Sequence, residues 1–126
     1  MIDAARVYDL EDRLVALAAA TCRIAAQLPS DRVAGHIAVQ LTRCCTSPAA
    51  NYAEARGAES RRDFVHKMKV CLKELRETMT WLKLLRMLEI PEPAAVQEAI
   101  AETDELIAMF VTSVATARRN DKGRGS

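Results

Sequence analysis

Residues 61–88 read RRDFVHKMKVCLKELRETMTWLKLLRML, a stretch with neither glycine nor proline to interrupt it. Phe64, Met68, Cys71, Leu75, Leu82 and Leu85, with Met79 beside them, recur in steps of three, four and seven. Side chains at that spacing stack along one side of a helix, so the segment predicts a long amphipathic helix with one core-facing seam. A strand would need alternation at every second residue, and the stretch has none. Ser60 followed by Asp63 has the form of a capping box with Asp in place of Glu, and Gly57 offers a C-cap to the segment before.

Three further segments carry the same period. The first, over about residues 7–28, sets Leu10, Leu14, Leu17, Thr21, Ile24 and Leu28 in a seam. Ala16, Ala18, Ala19 and Ala20 beside it would let a neighbouring backbone come close, and Pro29-Ser30-Asp31 ends the segment and caps the next. The second, residues 32–56, has Ala34, Ile37 or Ala38, Leu41, Cys45, Pro48 and Tyr52 in phase. Pro48 removes a backbone donor and predicts a kink within one helix, with Thr46 or Ser47 absorbing part of the freed hydrogen-bonding demand. Pro91 and Pro93 break the chain again. The fourth segment, residues 94–119, carries Val96, Ile100, Thr103, Ile107, Phe110, Val114 and Ala117, and residues 120–126 are expected to form a flexible tail. Connections this short force antiparallel neighbours. The expectation is an all-α, up-and-down antiparallel four-helix bundle over residues 1–119.

Composition agrees. Half of the 126 residues are hydrophobic but only 4% are aromatic, a load carried by Ala, Leu, Val and Ile that suits helix packing. Net charge is +1, which excludes a global polycation. Cys22, Cys44, Cys45 and Cys71 form no CxxC pair and read as buried small hydrophobes with reduced thiols, which points to the cytoplasm. No apolar run reaches the roughly 18 residues of a membrane span, and no basic segment precedes an apolar one at the N-terminus, so no membrane partner is expected.

Asp63-Phe64-Val65-His66 only approximates the Glu-x-x-His motif that di-iron bundles use twice, and His36 has Val33 where the carboxylate belongs. No nucleophile with an oxyanion donor is evident. No catalytic residue, cofactor or metal is expected, and the chain does not read as an enzyme.

Three surface constellations remain. Arg62, Lys69, Arg76 and Lys83 recur every seven residues with His66 and Lys73 between them, a basic stripe about 30 Å long that suits a phosphate backbone. The competing reading has Glu74 and Glu77 pairing with Lys73 and its neighbours, which leaves an ordinary solvated face. Arg118, Arg119, Lys122 and Arg124 form a second basic cluster that reads as a solubilising terminus. Trp81, Leu84 and Leu88 fall outside the seam, and Leu72 and Met79 widen it beyond the ~100° stripe that one bundle interior needs. That surplus points to a homo-oligomer interface, the alternative being that Trp81 covers the end of the core. Arg43, Asn51 and Glu54 on the second helix, with Lys67 and Glu74 on the third, have the placement of an inter-helix polar network that fixes register.

Residues 40–55 (QLTRCCTSPAANYAEA), then Ser60, 63–69 (DFVHKMK), 72–78 (LKELRET) and 81–85 (WLKLL) form a signature. It resembles the four-helix bundle family known from open reading frames within bacterial 23S rRNA intervening sequences. The resemblance covers about Tyr8 to Leu88, and the fourth helix agrees in length and pattern; Cys44 and Cys45 stand where the family more often has Ser and Ala. It implies a ring-like homopentamer without enzymatic activity. A related branch comprises the accessory proteins of diversity-generating retroelements, which bind a reverse transcriptase and RNA through basic surface. The resemblance therefore implies a scaffold whose partners are copies of itself, RNA or DNA, or a reverse transcriptase.

Overall fold

Each apolar seam becomes a helix: α1 (Leu10–Ala26), α2 (Arg32–Arg56), α3 (Arg61–Leu88) and α4 (Pro93–Gly123). The computed structural model describes residues 9–123, with side chains over 9–120. Each start has a side-chain acceptor for an orphan backbone donor. The Asp9 carboxylate accepts from the Asp12 N–H at 3.1 Å, Asp31 from Ala34 at 2.8 Å, and the Ser60 hydroxyl from Asp63 at 3.0 Å. Pro93 takes the first position of α4, where a missing N–H costs nothing, and the Glu92 carboxylate accepts from Ala94 at 3.3 Å.

The outer ends differ from expectation. α1 stops at Ala26 rather than Leu28, because Pro29 disfavours helical backbone at the residue before it. Val7 and Tyr8, the expected start, lie outside the described residues. α4 runs on to Gly123, so residues 120–123 are helical rather than tail, and 124–126 lie outside the described residues.

Each helix packs on its neighbours in chain order, and α4 closes back on α1; across the diagonal the Tyr52 ring of α2 meets Phe110 of α4 edge-on at 5.8 Å in the core. This is the up-and-down four-helix bundle. The α2–α3 and α3–α4 junctions are extensive, whereas α1 and α4 meet only slightly. Leu14, Leu17 and Ile24 meet Ile37, Leu41, Met68, Leu75, Leu82, Leu85, Val96 and Phe110 in the core. On α4 the expected Ile107 is half-buried and Leu106 is wholly buried in its place. α2 continues through Pro48, which is buried, and the Thr46 hydroxyl donates to the Thr42 carbonyl at 2.8 Å one turn earlier.

The helix ends invert one expectation. Gly57 caps α2 at φ −98°, where any residue fits, while Glu89 caps α3 in the left-handed region at φ 57°. Three threonines are wholly buried: Thr78 and Thr103 donate to the carbonyls one turn back, at 2.9 and 2.7 Å, but the Thr21 hydroxyl has no partner among the described residues.

Removing an unpaired buried hydroxyl removes its desolvation cost. Thr21→Val should therefore raise the unfolding free energy by about 1 kcal/mol in urea titrations. Thr103→Val, which deletes a made bond, should leave stability unchanged or lower it. The opposite order would mean that Thr21 finds a partner.

Candidate interaction surfaces

The α3 seam that buries Met68, Cys71, Leu75 and Leu82 turns the opposite side of the helix to solvent. Arg62, His66, Lys69, Lys73, Arg76 and Lys83 all lie there, and all are exposed. The neighbouring glutamates of α3 face elsewhere. Glu74 and Glu77 lean toward α2, where Arg43 approaches Glu74 at 3.5 Å and binds Glu77 more closely still. The screening of Lys73 by Glu74 that the sequence allowed does not form. Among the described residues, none of the six joins an ion pair.

The polar network takes a different form from the expected one. Lys67 bridges α3 to α2 through Glu54 at 2.7 Å, and that hydrogen bond raises the Lys67 pKa. Arg43 makes the second crossing. Asn51 stays within α2, donating to the Ser47 carbonyl at 3.0 Å and hydroxyl at 2.9 Å, because its short side chain reaches the preceding turn before it reaches α3. Glu77 joins the network instead. Sequence reasoning also missed Arg13, which forks onto Glu102 at 3.1 and 2.7 Å and reaches Glu105 at 3.2 Å. The hydrogen bond to Glu102 leads in holding its pKa above the ordinary value, and the pair clamps α1 to α4 where apolar packing is thinnest.

Trp81 is half-buried against the core, its Nε1–H donating to Glu77 at 3.2 Å and its ring meeting His36 edge-on at 5.8 Å. The indole therefore belongs partly to the α2–α3 wall. Beyond it Leu84 and Leu88 are 39% and 45% exposed, and Met87 reaches 81%. Thr78 meets Cys44 and Trp81 meets His36, a register that sets Val33, 64% exposed, at the same end of the bundle. Met87 and Val33 escaped the sequence reading because exposure depends on where the neighbouring helix ends. Arg118 and Arg119 are exposed on α4; the side chains of Lys122 and Arg124 lie outside the described residues.

The cysteines diverge rather than converge. Cys44 faces Thr78 on α3, while Cys45 sits 3.9 Å from Cys22 on α1, as adjacent helical residues about 100° apart must. Burial pushes the Cys71 thiol up to about 12 and raises Cys44 and Cys45 as well. Among the described residues no group of three His, Cys, Asp or Glu is placed to hold a metal ion, and no helix is long and apolar enough to cross a membrane.

Residues 8–112 match the model of the 23S rRNA-intervening sequence protein family. The chain belongs to that family. Membership takes in α1 to α3 and α4 as far as Thr112, further than the motifs of α2 and α3 alone reach. A crystal structure from the S23 ribosomal protein family, a protein of unknown function from Bacteroides thetaiotaomicron VPI-5482, is similar. The two share 27% identity with a TM-score of 0.75, over 82% of this chain and 96% of that one. No curated protein matches. As an intervening-sequence family member the chain shares its helical architecture with that structure.

The thiols should separate cleanly by reactivity. At pH 8 a disulfide reagent should label Cys22, the half-exposed one, at least about tenfold faster than the other three, which need unfolding to form thiolate. Cys22→Ser should remove the fast phase; a fast phase that survives would place another thiol at the surface.

Proposed function

We propose that the protein is a non-enzymatic, homo-oligomeric scaffold that presents the basic face of α3 to nucleic acid. The observation that carries this reading is electrostatic. Six exposed cationic or titratable side chains run along one face, and the neighbouring glutamates of α3, Glu74 and Glu77, are drawn away by Arg43. Unpaired surface cations can neutralise backbone phosphates and release the counterions condensed on the nucleic acid, and that release favours binding. Ring assembly would repeat the face and multiply its effect. The number five comes from the family resemblance. The self-contact is assigned to the apolar end formed by Leu84, Met87 and Leu88 with Val33, Trp81 serving as its inner wall.

Native mass spectrometry on protein purified without nuclease tests the whole reading: it should show a discrete oligomer carrying extra nucleic-acid mass. A clean oligomer would instead assign the protein to protein–protein scaffolding alone. Reversing Lys69, Arg76 and Lys83 to Glu should lower RNA retention at least about tenfold at low salt without loss of helicity. Unchanged retention would remove the basic face from the account. Leu84→Glu with Leu88→Glu should break the oligomer while leaving the helical signal intact; an unshifted mass in light scattering would move the interface elsewhere.

A further inference from the structure

Arg76 and Lys83 do more than extend the basic face: they form one lip of a groove of about 610 Å³ between α3 and α4. Its floor is apolar, made by Met79 and Ile100, each under a tenth exposed. The other lip, on α4, carries Ala101 and Asp104. α4 turns its remaining nearby carboxylates the other way: Glu102 and Glu105 bind Arg13 of α1 at 2.7 and 3.2 Å, and Glu98 lines the α1–α4 side. Asp104 is thus the one carboxylate lining the groove, and it joins no ion pair among the described residues.

The asymmetry narrows the ligand. Phosphates alone would need only the cationic lip. An acidic peptide would set its carboxylates against Asp104. A nucleobase fits both lips: its flat apolar faces cover Met79 and Ile100, and an exocyclic amino group donates to a carboxylate. Bases in a duplex are stacked inside and cannot enter.

We propose that the α3–α4 groove accepts an unpaired nucleotide, with backbone phosphates at Arg76 and Lys83, the base on Met79 and Ile100, and its amino group at Asp104. This rests on the nucleic-acid reading above and adds to it a preference for single strands.

Fluorescence anisotropy would compare labelled oligoadenylate with the same strand annealed to oligouridylate, at one salt concentration. The single strand should bind on the order of fivefold more tightly, the worth of one base's apolar contact, despite the higher charge density of the duplex. Ala101→Leu, a change at an exposed position, should fill the groove and abolish that preference while duplex affinity and helicity hold. Asp104→Ala should cut the preference for oligoadenylate over single-stranded oligouridylate, which lacks the amino group. Equal or tighter duplex binding, or a preference that survives Ala101→Leu, would overturn the groove and leave the basic face standing. Binding of neither strand nor duplex would overturn both. Displacement of the single strand by inorganic polyphosphate as effectively as by unlabelled oligoadenylate would show that phosphate alone is read.

Discussion

The thiol of Cys71 on α3 meets the carbonyl of Pro48 on α2 at 3.4 Å, and seven residues on the Thr78 hydroxyl meets Cys44 at 3.3 Å. Small side chains at these positions let the two helices approach closely and fix their antiparallel register. A shift of one residue would turn each contact about 100° out of the interface. With that register set, Arg43 arrives above Glu74 and Glu77, and Lys67 arrives opposite Glu54. The ion pairs are partly exposed and contribute modestly to stability. Their larger consequence is positional, since they gather the acids of α3 on the α2 side and leave the opposite face to the cations.

α4 sorts its charges in the same manner. Glu102 and Glu105 are held by Arg13, so the α1–α4 junction, thin in apolar contact, closes partly through charge. The groove left beside it is lined by Ala16, Ala20, Ala95 and Ala99, too small to fill it. A bundle closed firmly on three sides and lightly on the fourth concentrates its stability in α2, α3 and α4. Local opening is then expected first at α1, where the fewest buried contacts must break.

Much of this was legible in the sequence, for identifiable reasons. The bounds of α2 and α3 follow from Asp31 and Ser60, whose caps act locally and leave a mark at fixed spacing. The basic face was legible because a heptad step keeps residues on one side of a helix whatever that helix packs against. The partners of those residues were not legible. Periodicity gives the direction of Glu74 but says nothing of Arg43 arriving from another helix, and it gives no reason to prefer Glu77 over Asn51. Leu106 takes the core position expected for Ile107 because α4 packs against two helices, α1 and α3, and one seam cannot specify how they share its surface. The groove was invisible for the same reason, since its two lips belong to different helices.

A net charge of +1 reads as indifference to polyanions, and for a uniformly mixed surface it would be. Here the near-balance is reached by separation. Acids of α3 and α4 are spent on Arg43 and Arg13 along two seams of the bundle, and each such pairing removes a carboxylate from the neighbourhood of Lys73, Arg76 or Lys83. Screening confines the influence of a surface charge to about 8–10 Å at physiological salt, so a polyanion approaching α3 meets the charges of that face rather than the sum over the chain. Composition is therefore the wrong scale on which to judge this protein. The relevant quantity is the local field of one helix face, and helix packing, by deciding which way each carboxylate turns, sets its sign.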